Sequence, residues 1–274
     1  SFVRDRVFGN VKADWQITPH LSLMGRYALD TYREERQTKI GNSYTNDSRG
    51  GFGVINLSRF ERNADFLLTY KRDISALSVS VSGGGNTRYQ KNTDLNSSTK
   101  NGTGLIIPGL YTLGNIAPAN LNYSNYLYEK AVFSAYGLVN LGFKDMVYLD
   151  LTARNDWSST LPKANRSYFY PSASLSVLLN EMFPMANQIS LFKLRGGWAQ
   201  VGNDTNPYSL VATLGNAGAW DGITRLSKSG QILLPDLKPE IATSYEYGVD
   251  LNLYHNRVRF AATYYQVENR NQII

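Results

Sequence analysis

The sequence predicts an all-β, antiparallel fold of the transmembrane β-barrel kind, and three observations predict it. Apolar and polar residues alternate with period two in about ten segments, and helical spacing competes nowhere over a useful length. Tight turns alternate in order with long polar connections, an asymmetry that outer-membrane barrels have by construction and compact soluble domains seldom show. Large aromatic rings fall near segment ends, where amphipathic side chains anchor at the headgroup level of a bilayer.

The strands are expected at 4–17, 20–34, 51–72, 75–90, 128–142, 146–158, 167–180, 189–202, 240–254 and 257–270. "TPH" (Thr18 to His20) closes the first pair, "RDIS" (Arg72 to Ser75) the second and "FKDM" (Phe143 to Met146) the third. "EMFPMANQ" (181–188) makes a medium-length turn, and "YHNR" (Tyr254 to Arg257) closes the last pair with residues that favour turns. Between these turns lie long connections near 35–50, 91–127 and 203–239, rich in Gly, Asn, Ser and Thr, with 159–166 as a shorter member. All four belong to a single barrel domain covering 1–274, on its extracellular side.

In "MVYLDLTARNDW" (Met146 to Trp157), Val147, Leu149, Leu151 and Ala153 share one face, and Tyr148, Asp150, Thr152 and Arg154 the other. The segment 240–254 sets Ile241, Thr243, Tyr245, Tyr247, Val249, Leu251 and Leu253 against Ala242, Ser244, Glu246, Gly248, Asp250 and Asn252. In 167–180, Phe169, Ala173, Leu175, Val177 and Leu179 oppose Ser172, Ser174, Ser176 and Asn180. Alternation alone fits a β-sandwich with one wet face as well as a barrel with a wet lumen. The aromatics Trp15, Tyr27, Tyr70, Tyr148, Trp157, Phe169, Trp198, Tyr245 and Tyr264 favour the barrel as girdle residues. On that reading Val147, Leu149 and Leu151 face lipid, and Asp150, Thr152 and Arg154 face the lumen.

Composition narrows the function. The chain has 274 residues and no Cys, so disulfides and thiolate metal or redox sites are excluded. Its charge of +6 is spread without a basic patch, which argues against nucleic acid as a partner. No run of 18 apolar residues occurs, so a membrane helix is excluded while a membrane strand is not. No apolar stretch follows a basic start, so a signal peptide is not expected in these residues.

His20 and His255 fall in tight turns far apart, which gives a zinc site no support. Asp150, Asp156, Glu246 and Asp250 read as lumen or loop carboxylates paired with Arg154, Lys193 or Arg195 across neighbouring strands, rather than as a glycosidase pair. "SGGGNTR" (Ser82 to Arg88) lacks the helix that a phosphate loop requires, so its glycines mark a stretch where backbone packs closely. The candidates for ligand contact lie in the long connections: Asn203, Asp204 and Tyr208 in "GNDTNPY", and Trp220 with Asp221 in "GNAGAWDGITR". An aromatic face beside amides and carboxylates suits a sugar ring or a peptide backbone.

The stretch "RNDWSSTLPKANRSYFYPSASLSVLLNE" (Arg154 to Glu181) resembles the SusC-like (SusC/RagA) family of TonB-dependent outer-membrane transporters. "LFKLRGGWAQVGN" (Leu191 to Asn203) and "LKPEIATSYEYGVDLNLYHNRVRFAATYYQVENRNQII" (Leu237 to Ile274) are similar to two further family stretches, in the same order. Residues 1–145 match only in texture. Trp157 stands where the family commonly has Gly, and Val201 where Thr is usual.

The resemblance implies about ten strands of a barrel of roughly 22 strands, with the plug domain absent from this chain. It implies import of an oligosaccharide or peptide across the outer membrane of a Gram-negative, Bacteroidetes-like cell. The expected partners are a SusD-like surface lipoprotein, the TonB complex through the missing plug region, outer-membrane lipid and a second SusC–SusD pair. No catalytic residue, metal or cofactor is expected, and Arg154 joins the ligand-contact candidates. The rival readings are a siderophore- or cobalamin-type receptor and a secreted carbohydrate-binding β-sandwich.

Overall fold

The computed structural model describes residues 1–211, 213–228 and 234–273; part of the 203–239 connection therefore lies outside the described residues. Twelve strands form among the described residues: β1 (Phe2–Thr18), β2 (Leu21–Ile40), β3 (Gly51–Ile74), β4 (Leu77–Thr99), β5 (Leu121–Phe143) and β6 (Val147–Ser158). They continue as β7 (Ser167–Leu178), β8 (Ile189–Asn203), β9 (Leu214–Trp220), β10 (Ile223–Lys228), β11 (Glu240–Leu253) and β12 (Val258–Arg270). β1 to β8, β11 and β12 make one ten-stranded sheet in that order, and β9 and β10 a separate hairpin.

The ten strands of the sheet are those expected, but β2, β4 and β5 run further into the long connections than alternation indicated. The reason is physical: period-two patterning marks only strand residues with one apolar and one wet face, and a strand wet on both faces loses that signal. A transmembrane strand needs about 9 to 11 residues. β2 to β5 have 20, 24, 23 and 23, so a single crossing uses about half of each.

The tight turns align along one edge. The His20 carbonyl accepts from Lys71 N–H at 2.8 Å, and the Ala76, Met146 and Gln188 carbonyls accept from Lys144, Leu178 and Tyr254 N–H, each at 2.7 Å. Ser75, Lys144, Asp145, Tyr254, His255 and Asn256 take positive φ there, which lets each chain reverse within a few residues.

Register carries the two faces across the sheet. Leu141, Leu149, Leu175, Gly196, Tyr247 and Tyr264 form one row of cross-strand partners. Beside it runs the row Asn140, Asp150, Ser174, Gly197, Glu246 and Tyr265. One face is therefore apolar and the other polar over six strands. Tyr148 corrects one girdle expectation: it pairs with Gly142 and Ser176 on the polar face, its ring against Gly142.

The chain falls into two compact units. One comprises 1–11, 27–64 and 88–130, the parts of β1 to β5 remote from the turns with the 41–50 and 100–120 connections. Its small core joins Phe52, Leu105 and Ile116, with Val54, Tyr111, Leu113 and Leu121 packed against them. Asp47 accepts from Gly102 N–H at 2.7 Å and Arg49 Nε donates to the Leu105 carbonyl at 2.8 Å, so these side chains tie the two connections together. The second unit comprises 12–26, 65–87 and 131–274. Among the described residues the buried apolar side chains are Phe52, Leu105, Ile116, Leu161 and Tyr168, far too few for a sandwich core.

Candidate functional site

The polar face of β5 to β8 carries a connected set of side chains. Arg154 on β6 lies between Tyr136 on β5 and Tyr170 on β7, its direct cross-strand partners. Alternation aims all three at the polar face. Arg154 Nε donates to Asp156 Oδ1 at 2.8 Å and Nη2 to Ser134 Oγ at 2.8 Å, with the guanidinium 5.6 Å from the centre of the Tyr136 ring. Asp156 Oδ2 accepts from the Tyr170 hydroxyl at 2.6 Å, and Tyr170 stacks on Tyr168 at 6.0 Å between ring centres. Further along β6 on the same face, buried Ser158 hydrogen-bonds Thr160 at 2.9 Å and donates to Asp204. Gly202 leaves room for the Tyr168 ring, which a Cβ there would meet at 2.4 Å.

A second cluster is centred on Arg195 of β8. It reaches Glu246 at 2.5 Å, Asp250 at 3.6 Å and the Thr263 hydroxyl at 2.5 Å, so one side chain crosses from β8 over β11 to β12. Gly248 makes the crossing possible, since a Cβ there would lie 2.5 Å from Arg195 Nε. The expected cross-strand carboxylate–guanidinium pairs thus form at Glu246 and Asp250, whereas Asp156 pairs with Arg154 along its own strand. Asp150 instead accepts from the Asn140 amide at 2.6 Å.

Of the six residues proposed from sequence for ligand contact, Arg154 and Asp204 enter the first cluster. Asn203 ends β8, donates to Glu240 at 3.0 Å and lines a recess of about 460 Å³ with Val201 and Ala242. Tyr208 is exposed at positive φ. Trp220 and Asp221 stand on the β9–β10 hairpin, where Asp221 and Gly222 take positive φ and make its two-residue turn. Trp220 is 72% exposed, with the Arg225 guanidinium 5.9 Å from its ring centre. Asp156, Tyr168, Tyr170 and Ser158 were missed as site residues, although their position on Arg154's face was readable from alternation. No group of three or more His, Cys, Asp or Glu that could hold a metal occurs among the described residues.

One sheet with an apolar face, a hydrogen-bonded polar face, tight turns along one edge and long connections opposite defines the wall of a transmembrane β-barrel. The chain belongs to the TonB dependent receptor-like β-barrel family, whose model matches residues 3–274. It is similar to TonB-dependent receptor P3 of Formosa agariphila, at 26% identity over 85% of this chain and 24% of that protein. It therefore spans about a quarter of that relative's length. The fold matches the RagAB peptide transporter with a TM-score of 0.83 at 20% identity, over 97% of this chain and 30% of that one. The match to the ferric-catecholate import receptor Fiu of E. coli K12 has a TM-score of 0.56 at 12% identity, over 98% of this chain and 41% of that one. Receptors of this family are barrels of the outer membrane, and the ten-stranded sheet of this chain is a section of such a wall there.

Proposed function

We propose that the chain contributes wall, loops and part of the ligand cavity to a SusC-like transporter that imports an oligomeric nutrient, glycan or oligopeptide. In the complete transporter, a SusD-like surface lipoprotein covers the extracellular connections, and TonB acts on a plug held inside the barrel. The chain breaks no bond; its residues bind and guide. Arg154, Asn203, Asp204, Tyr208, Trp220 and Asp221 remain the candidates for ligand contact, the first and third within the Asp156–Tyr170 cluster.

One observation carries the reading: the fold agrees with the RagAB peptide transporter at a TM-score of 0.83 and with the ferric-catecholate import receptor Fiu at 0.56. The family stretches at 154–181, 191–203 and 237–274 support the same branch. Extraction of the native protein from cell envelopes in mild detergent tests it. A polypeptide far larger than 30.7 kDa that co-purifies with a lipoprotein is the expected result. A chain of that size in the aqueous fraction would overturn it.

A further inference from the structure

Glu34 is the most deeply buried acidic residue among the described residues, at 3% exposure, and its carboxylate holds two guanidinium groups. Arg4 of β1 donates through Nε to Glu34 Oε2 at 2.5 Å and places Nη2 beside the same oxygen, while Arg36 Nε donates to Oε1. The Arg4 guanidinium lies 4.9 Å from the centre of the Tyr32 ring and 5.5 Å from that of Phe2. Tyr32, Glu34 and Arg36 alternate on β2 onto the face opposite Leu21, Leu23 and Leu29.

The stoichiometry sets this group apart. On the polar faces of the strands, Arg6 pairs with Asp30, Arg26 with Asp65, Arg59 with Asp94, Arg88 with Glu61 and Arg154 with Asp156, one guanidinium to one carboxylate. Arg195 meets two carboxylates. Only at Glu34, among these, do two guanidiniums share one carboxylate, which leaves a net positive charge. Each guanidinium has five N–H donors in a fixed fork, and Glu34 uses only the edge nearest to it. The Arg4 and Arg36 side chains are 42% and 51% exposed, so their remaining donors are open to a ligand. Aromatic rings beside Arg4 and the buried carboxylate shared by both arginines fix the forks in advance, which lowers the ordering cost of binding.

We propose that Arg4 and Arg36, aligned by Glu34, form a subsite for a carboxylate group of the transported oligomer. The inference rests on the transporter reading above and sharpens its substrate class. A planar carboxylate fits the forks bidentately, and both a peptide terminus and a uronate sugar supply one.

The test uses the full-length transporter purified from outer membranes, with Arg4→Gln, Arg36→Gln and the double variant. Calorimetry compares an N-acetylated Gly/Ser hexapeptide bearing a free C-terminal carboxylate with its amide, and tetragalacturonate with its methyl ester. The acid member of one pair should bind about ten-fold more tightly than its neutral partner. That preference should fall to about one in the double variant while the neutral probe binds as before, and the pair that shows it identifies the source of the carboxylate. Absence of any acid preference in the unaltered protein, absence of binding by every probe, or a preference that survives in the double variant overturns the subsite. Should the double variant fail to assemble, Arg36→Gln decides instead, since it keeps the Arg4–Glu34 pair: a reduced acid preference supports the subsite and an unchanged one overturns it. Neutral probes bound without acid preference leave the transporter reading standing. A native chain found outside the envelope removes that reading instead.

Discussion

At the scale of single residues, Glu34 ties charge to stability. It lies 13 positions beyond the start of β2, outside the roughly 9 to 11 residues that cross the bilayer. Burial pushes its pKa up, but hydrogen bonds and charge from Arg4 and Arg36 outweigh burial and hold it below the usual carboxylate range. A carboxylate with a lowered folded pKa adds stability at pH values above its unfolded pKa, and that stability is lost as pH falls through the folded value. Thermal denaturation of the full-length protein should therefore show Glu34→Gln less stable than the unaltered protein at pH 7. The difference should shrink progressively below about pH 4.5; a gap that stays constant down to pH 3 would show that the carboxylate's charge is not the cause. Gly84 makes a second case, because a Cβ there would sit 2.3 Å from the Phe66 carbonyl oxygen and 3.0 Å from the Tyr136 ring. Backbone cannot yield as a side chain can, so Gly84→Val should cost about 1 to 3 kcal/mol. Loss of the heat-modifiable form at a lower temperature is the expected readout, and unchanged melting would show that the strands are looser than this contact.

At the scale of elements, β6 sets the clearest contrast. Leu149 pairs with Leu141 and Leu175 on the apolar face, and Thr152 pairs with Leu138 and Ser172 on the polar one, where its hydroxyl meets Ser172 Oγ at 2.6 Å. Arginine at a lipid-facing mid-membrane position costs about 2 to 4 kcal/mol. Leu149→Arg should accordingly block assembly in the outer membrane far more than Thr152→Arg, as judged by the amount of each full-length variant in isolated outer membranes. Equal amounts would reverse the assignment of faces. The β9–β10 hairpin poses a different problem: Leu214, Trp220, Ile223 and Leu226 are all more than 60% exposed. An isolated two-stranded hairpin is marginal in water, so its turn residues Asp221 and Gly222 carry much of its definition.

At the scale of the whole molecule, β1 and β12 are the edges of the ten-stranded sheet. Unpaired strand edges are not tolerated in lipid, where backbone groups find no water. These 274 residues refolded by themselves into detergent micelles should give no heat-stable β-sheet spectrum, whereas the full-length transporter should. A stable spectrum from the section alone would show that its edges pair with each other or with a second copy.

The sequence by itself determined the antiparallel all-β class, the ten strands of the sheet, the turn positions and the two faces of β6, β7 and β11. A period of two is written directly into residue order and depends on no distant contact. Arg154 was legible as a polar-face residue for the same reason. Only the tertiary structure decided which partners it meets: Asp156 lies two residues along its own strand, but Ser134, Tyr136 and Tyr170 arrive from other strands through register. The extent of β2, β4 and β5 was also beyond pattern reading, because strand residues wet on both faces carry no alternation. The joint grip of Arg4 and Arg36 on Glu34 depends on β1 lying beside β2 at one register, so distance along the chain hid it. Local periodicity fixed the elements, whereas cross-strand register, a property of the assembled sheet, fixed the sites.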